Sequence, residues 1–461
     1  MPSLQRTICI ALAAGVAAIA VAPAAAQLLP QVSVPSVGLP VGGAVNEVRR
    51  TVGQVTGAAG ELVGEGVPVS RQDIERELES NLNQLGYSIW VRTAPPATLL
   101  DLRRLRLAEL VKDSSGRLEM DGAGNPAVRG RLVAIGPTKA ELAAARKAGF
   151  TVAASESDPV LGVDIVVLAT PAGLRTHAAM ALLRRLSPSL ALEFDHVFEP
   201  AGGALAATSV ALAAGASATG GPGRPLIGMI DGGVAQSPAL NSATIEQKGF
   251  VGAPQATGHG TAIASLIVGA DGKFRGAAPQ ASLLVADVYG GNPAAGSALA
   301  VTKALSWLAA RRAQVINVSL VGPRNRLVER AVAAVQARGI PVVAAVGNDG
   351  PAAPPLYPAS QAGVVSVTGV DARNRALAEA GKAPDLDYSA PGADMAAALP
   401  GKGYASVRGT SFAAPLVSAR LALAGSVQRL DAEAIRKGHG RIGRGIVCAP
   451  CRVAPKAVGA K

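Results

Sequence analysis

Aromatic residues make up only 3% of these 461 residues, too few for a platform on which nucleic-acid bases could stack. Three cysteines cannot staple a disulfide-dependent mini-scaffold. There are four histidines, and no acidic cluster has a ligand spacing, so no metal site is legible. Past the first 26 residues there is no uninterrupted run of about 18 strongly apolar residues, and hence no candidate membrane span. The formal charge of +12 is diffuse. Arginine pairs such as those at 103–104, 184–185 and 311–312 lie in separate segments, which argues against a nucleic-acid surface. What the chain does have is small and apolar: 49% hydrophobic residues and 54 glycines. That excludes a wholly disordered chain and suits two or three domains with at least one sizeable core.

The N-terminus reads as an export signal. Arg6 precedes the apolar stretch Ile8–Val21, and Pro23 and the alanines 24–26 follow, an exit of the A-x-A kind before Gln27. Cleavage there puts the mature chain outside the cytoplasm, in the periplasm or the medium. Residues 27–69 carry Pro30, Pro35 and Pro40 without helical or strand period and read as a tether. Ser70 to Asp73 form a capping box for a helix with Ile74, Leu78, Leu82 and Leu85 on one face. A second helix is expected from Ala97 to Val111.

Residues 128–200 alternate strand and helix. Strands are expected at Val128–Ile135, Phe150–Ala154, Asp164–Ala169 and Leu190–Phe198. One helix is capped by Thr138, and another starts at Thr170-Pro171 and runs to Leu186. This is the split, ferredoxin-like order of a small module within residues 70–200. The Ala-, Gly- and Pro-rich stretch 201–225 reads as an exposed linker. From 226 to 447, near-continuous apolar strands alternate with helices, the pattern of a parallel sheet covered on both faces. In such sheets reactive groups gather at the carboxyl ends of the strands.

Four motifs sit at such ends. Leu226-Ile-Gly-Met-Ile-Asp231-Gly-Gly is a buried strand ending in an acid, and Gly258-His259-Gly-Thr leads into a helix. Val342-Val-Ala-Ala-Val-Gly347-Asn348-Asp-Gly ends in a polar turn, and Gly409-Thr-Ser411-Phe-Ala-Ala-Pro opens a helix. Singly, each has an ordinary reading as a turn, loop or helix cap. In this order they resemble the motifs of the subtilisin-like serine proteases, over roughly residues 226–447. Arg275–Pro279, Val315–Leu320 and Ser389–Gly392 match further family segments.

The resemblance implies an α/β fold, a doubly wound parallel sheet of subtilisin type, preceded by a small ferredoxin-like α+β prodomain. It implies a serine endopeptidase working through an acyl-enzyme, with Asp231, His259 and Ser411 as triad. Asn348 and the Ser411 backbone would form the oxyanion hole, and Ser319, Leu320, Val321, Ala345 and Gly347 the substrate site, with Asp349 at its rim. The chemistry stands without the name. A serine hydroxyl needs a base within reach, and a histidine needs an acid to hold its tautomer. The expected partners are polypeptide substrates and the chain's own prodomain, and no cofactor is called for. Calcium, frequent in the family, has no recognisable site.

Three departures stand out. Ala262 replaces a second histidine, Phe412 replaces the methionine common beside the nucleophile, and Val321 replaces a glycine in the substrate strand. A valine there narrows the primary pocket, and the mostly small or apolar walls 319–321 and 345–347 favour a medium apolar residue before the scissile bond. The strand Ala191–Pro200 resembles the end of a prodomain whose tail fills the groove until cut. His196 in it reads as a strand-packed residue or a pH sensor. Cys448-Ala-Pro-Cys451 reads as a small disulfide, since zinc would need two more ligands and only His439 is near. The basic tail 448–461, like the wider stretch from 431, is either solvated or in weak contact with an anionic envelope. A competing reading, a catalytically silent binding protein on this scaffold, is disfavoured by the intact set of four residues.

Overall fold

The computed structural model describes residues 96–201, 212–213, 217–221, 223–401 and 403–460. The expected export signal, the tether and the helix from Ser70 lie outside these residues. The described part opens with helix α1 (Pro96–Asp113), whose Leu99 and Leu107 are buried while Leu105 faces solvent.

The module that follows is built from β1 (Leu118–Met120), β2 (Pro126–Ile135), α2 (Lys139–Lys147), β3 (Thr151–Asp158), β4 (Val163–Ala169), α3 (Thr176–Leu186) and β5 (Leu192–His196). Its main antiparallel sheet runs β5-β2-β4-β3, the ferredoxin-like order. Thr138 caps α2 through a capping box with Glu141. Leu132, Leu168, Met180, Leu183 and Leu192 fill the space between helices and sheet. Helix α3 begins at Thr176, later than expected from Pro171. Gly173 takes φ +76° and closes a turn in which Leu174 N–H bonds to Pro171 O at 3.1 Å, so the chain turns once more before the helix can start.

The second layer system is a seven-stranded, all-parallel sheet: β7 (Leu226–Asp231), β8 (Thr244–Gly249), β9 (Ser282–Asp287), β10 (Val315–Val318), β12 (Val342–Ala345), β13 (Val365–Val370) and β14 (Tyr388–Pro391). Its order is β14-β13-β12-β10-β7-β9-β8, so β7 lies inside the sheet with β9 on one side and β10 on the other. Helices α4 (Gly258–Val268) and α7 (Thr410–Ala424) pack in one apolar layer, and α5 (Ala298–Ala310) and α6 (Arg326–Gln336) pack in the other. Alanines at 413, 414 and 419 let α7 run buried against the sheet.

One expectation is qualified and one corrected. Within 201–225, Ser217, Thr219–Gly221, Gly223 and Arg224 are exposed, but other described residues are held against the domain. Ala218 is buried and its N–H donates to Glu246, and Leu212 pairs with Ala235. Residues 448–460 are no solvated tail. Val453 O accepts from Ala396 N, Arg452 donates to the carbonyls of Ala393, Val370 and Asp371, and Val453 and Val458 pack on the core. Cys448 and Cys451 are joined as a disulfide. Among the described residues, no three His, Cys, Asp or Glu side chains gather as a metal site, and no single helix is long and apolar enough to cross a membrane.

Candidate active site

Strand β7 ends in Asp231, and the N-terminus of α4 carries His259 beside it. Glycines permit the approach. A Cβ on Gly260 would lie 2.4 Å from Gly232 O, so only glycine fits where the two turns touch. Thr257 caps α4 by accepting from Gly260 N–H. The Asp231 carboxylate accepts from Gly232 N–H at 2.8 Å and from His259 Nδ1 at 2.8 and 3.0 Å. Because a carboxylate can only accept, the imidazole proton sits on Nδ1 and Nε2 is left as an acceptor. Ser411 Oγ lies 3.0 Å from that Nε2 and donates to it. All three side chains are buried. The arrangement can take a proton from the serine hydroxyl and hold the resulting imidazolium against Asp231.

Ser411 is in the first turn of α7, where backbone N–H groups lack intrahelical acceptors. Asn348, just beyond β12, accepts from Thr410 N–H at 3.0 Å through Oδ1. With Oδ1 so engaged, its Nδ2 remains to act as a donor. A buried chain of polar groups ties this helix to the neighbouring strand end. Ser418 Oγ donates to Asn317 Oδ1, Asn317 Nδ2 donates to Ser319 Oγ, and Ser319 Oγ donates to Ser411 O, each at 2.9 Å.

Beside the serine runs β11 (Leu320–Val321), and β6 (Glu199–Pro200), the continuation of the module's last strand, lies on it. The pairing is antiparallel, Leu320 opposite Pro200 and Val321 opposite Glu199, and Ala201 N–H continues it to Ser319 O at 2.9 Å. On the other side Phe198 N–H donates to Gly296 O at 2.7 Å, and Val197 bridges to Ser297. Tyr289 Oη donates to Phe198 O at 3.1 Å; burial, then the charge of Asp231, keeps that phenol far above its ordinary pKa and so a donor. The module's tail thus occupies a groove between β11 and the Gly296–Ser297 segment that leads to Ser411.

Helix α1 covers the rim, a feature with no signature in the sequence. Asp349, expected at the rim, is buried by Arg103 Nε at 3.0 Å and Arg106 Nη2 at 2.9 Å, and Arg106 Nε also meets Glu199 at 2.9 Å. Leu99 packs on Gly350.

His196 sits where the module meets α6. Asn325 caps α6 through Oδ1, so its Nδ2 donates to Phe194 O and to His196 Nδ1, leaving Nε2–H to donate to Asp121 at 3.0 Å. Against desolvation, which raises it, the bonds from His196 and Asn125 pull Asp121 from 3.8 down to about 2. A carboxyl with a lowered native pKa stabilises the fold above its unfolded value and loses that contribution as pH falls toward the native one. Between about pH 4 and 2 the Ser411→Ala chain should therefore lose stability, and Asp121→Ala should flatten that limb of a denaturation profile; equal slopes would count against it.

An α/β serine hydrolase with a doubly wound parallel sheet is the class that this fold and site define. Comparison narrows it. The model of the "Subtilase family" matches residues 224–437. Subtilisin Savinase of Lederbergia lenta is 33% identical over 202 residues, which cover 43% of this chain and 74% of the relative. The alkaline protease of Shouchella clausii is also 33% identical, and 53% of its length is covered. Among solved structures, fervidolysin of Fervidobacterium pennivorans, a keratinolytic enzyme related to subtilisin, aligns with a TM-score of 0.56 and 18% identity over 70% of this chain and 60% of its own. The epidermin leader peptide processing protease of Staphylococcus aureus aligns with 0.53 and 17% over 70% and 97%. The chain belongs to the subtilase family and is a serine-type endopeptidase.

Proposed function

We propose that this chain is exported as a precursor and hydrolyses polypeptides through an acyl-enzyme, with Ser411 as nucleophile, His259 as general base and acid, and Asp231 holding the histidine. The observation that carries this is the single imidazole bonded on one side to a buried carboxylate and on the other to a serine hydroxyl. Ser411 Oγ attacks the substrate carbonyl as its proton passes to His259 Nε2. The Asn348 amide and the Ser411 N–H stabilise the oxyanion, the imidazolium protonates the leaving amine, and water repeats the sequence to release the acid. The reaction so written draws on side chains, backbone and water. Residues 70–200 act as an inhibitory prodomain, because their last strand fills the groove a substrate would need. Export is supported by the basic, apolar and small-residue order of residues 1–26.

The test is conversion of the precursor. Wild type should shorten itself, degrade an unfolded protein and label at Ser411 with a fluorophosphonate, whereas Ser411→Ala should stay full length. If neither converts nor labels, the silent-scaffold reading takes over.

Phe412 adds a smaller prediction. Its ring lies 5.3 Å from that of His259, in the place where family members often carry methionine. Methionine there forms a sulfoxide beside the oxyanion site and phenylalanine cannot. Activity should survive peroxide, and Phe412→Met should make it sensitive; rapid loss in wild type would contradict this.

A further inference from the structure

We infer that this protease cuts its own chain after Ala201 and that Val321 and Leu356 restrict the residue before any scissile bond to alanine or smaller. The inference rests on the proposed catalytic reading and specifies its substrate.

The register fixes the position. In the antiparallel pairing, Leu320 faces Pro200 and Val321 faces Glu199, so Ser319 faces Ala201, and Ala201 N–H bonds to Ser319 O at 2.9 Å. Ser319 Oγ in turn donates to Ser411 O at 2.9 Å. Among the described residues of the docked tail, Ala201 is therefore the one that the pairing leads to the nucleophile, and its carbonyl is the first beyond the pairing. The Ser411 Oγ–C bond forms at that carbonyl and the peptide C–N bond breaks. The serine's proton leaves with the new amine, and water completes the hydrolysis.

The size limit comes from two side chains on one face of a short pairing. Gly322 and Tyr357 exchange backbone hydrogen bonds at 2.9 and 3.0 Å. Their neighbours Val321 and Leu356 point to the opposite face, as alternation along a strand requires. Both press on the turn after β12. A Cβ added to Gly347 would lie 2.7 Å from Leu356 Cδ1 and 3.4 Å from Val321 Cγ1. Val321 and Leu356 are 6% and 3% exposed and share one apolar cluster with Ala201 and Ala345. Two branched side chains thus stand against Gly347 and narrow the walls expected of the primary pocket, and on this inference a methyl group is the largest that enters. That replaces the medium apolar preference read from the walls 319–321 and 345–347 in the sequence. Three residues earlier the groove behaves oppositely. Phe198 is fully buried, and its ring lies where a Cβ on Gly322 would be, at 2.6 Å. The recognised sequence is a large aromatic, two intervening residues, and a small residue at the cut.

The full chain is expressed and allowed to convert, and the masses of both products are read. The N-terminal product should end at Ala201. Ala201→Phe, a change in the substrate that leaves the triad intact, should slow conversion about 100-fold or more. The processed enzyme should cleave a reporter peptide ending Phe-Glu-Pro-Ala with a kcat/KM about 100-fold above that for Phe-Glu-Pro-Phe. Val321→Gly/Leu356→Gly should narrow the ratio by gaining turnover of the phenylalanine peptide. A first cut elsewhere, or similar rates for the two peptides in wild type, overturns the inference while a protease remains. No conversion and no fluorophosphonate labelling overturns the catalytic reading, and this inference falls with it.

Discussion

His259→Ala will lower the rate at which the precursor cuts itself by roughly 10⁶-fold. That is the size of the effect in subtilisin, where losing the serine or the histidine alone costs about as much as losing the whole triad. The reason lies in the bonding order. The imidazole is the sole link between Asp231 and Ser411, so without it the hydroxyl faces no base and the buried carboxylate no cation. Asp231→Asn should cost less, about 10⁴-fold, because an amide at that position can donate to Nδ1 and stabilise the wrong tautomer while the groove stays intact. Asn348→Ala removes one oxyanion donor and should cost about 10²–10³-fold. Single-turnover rates of that self-cleavage in the three variants check the order. If Asn348→Ala proved as damaging as His259→Ala, Asn348 would have to do more than donate to the oxyanion, through the Thr410 N–H it holds.

That this much could be read from the sequence reflects where the reactive groups sit. Asp231 and Asn348 follow apolar strands, and the glycines around Asp231 and His259 mark turns that touch. Steric necessity thus writes itself locally as Gly-rich punctuation. Elements that lean on distant partners were less visible. Strand β8 reads Thr-Ile-Glu-Gln-Lys-Gly with no apolar run, because as an edge strand it needs only one buried face. Strand β14, at the opposite edge, carries Pro391, a residue tolerated where no further strand needs the donor. Leu356 lies in a proline-rich turn without period. Its meaning appears only once the Gly322–Tyr357 pairing brings it against Gly347. The partnership of Arg106 with Asp349 spans 243 residues, and no local pattern announces it.

That partnership carries the second large effect. On the proposed reading, Arg103→Ala/Arg106→Ala should weaken retention of the cleaved prodomain about 100-fold and shorten the lag between cleavage and activity accordingly. The Asp349 side chain is 5% exposed in the docked state, with guanidiniums on both oxygens. In the free enzyme it would regain water. Removing both arginines leaves an unpaired buried carboxylate only while α1 is docked, so the cost falls on docking and not on the fold of the protease. The sign can be tested internally. Asp349→Asn in the double variant removes the uncompensated charge and should restore part of the retention, whereas Asp349→Asn alone should weaken it. Such opposite signs are the mark of a coupled pair in a mutant cycle. Arg106 also holds Glu199 of the tail, so Arg106→Ala alone should cost more than Arg103→Ala, even though Arg103 is the more buried side chain. Leu99→Ala tests the apolar half of the same contact over Gly350, and its effect on the lag should not respond to salt, which screens charges and not packing. A lag unchanged in the double variant would mean that β6 alone retains the prodomain and that α1 only braces the module.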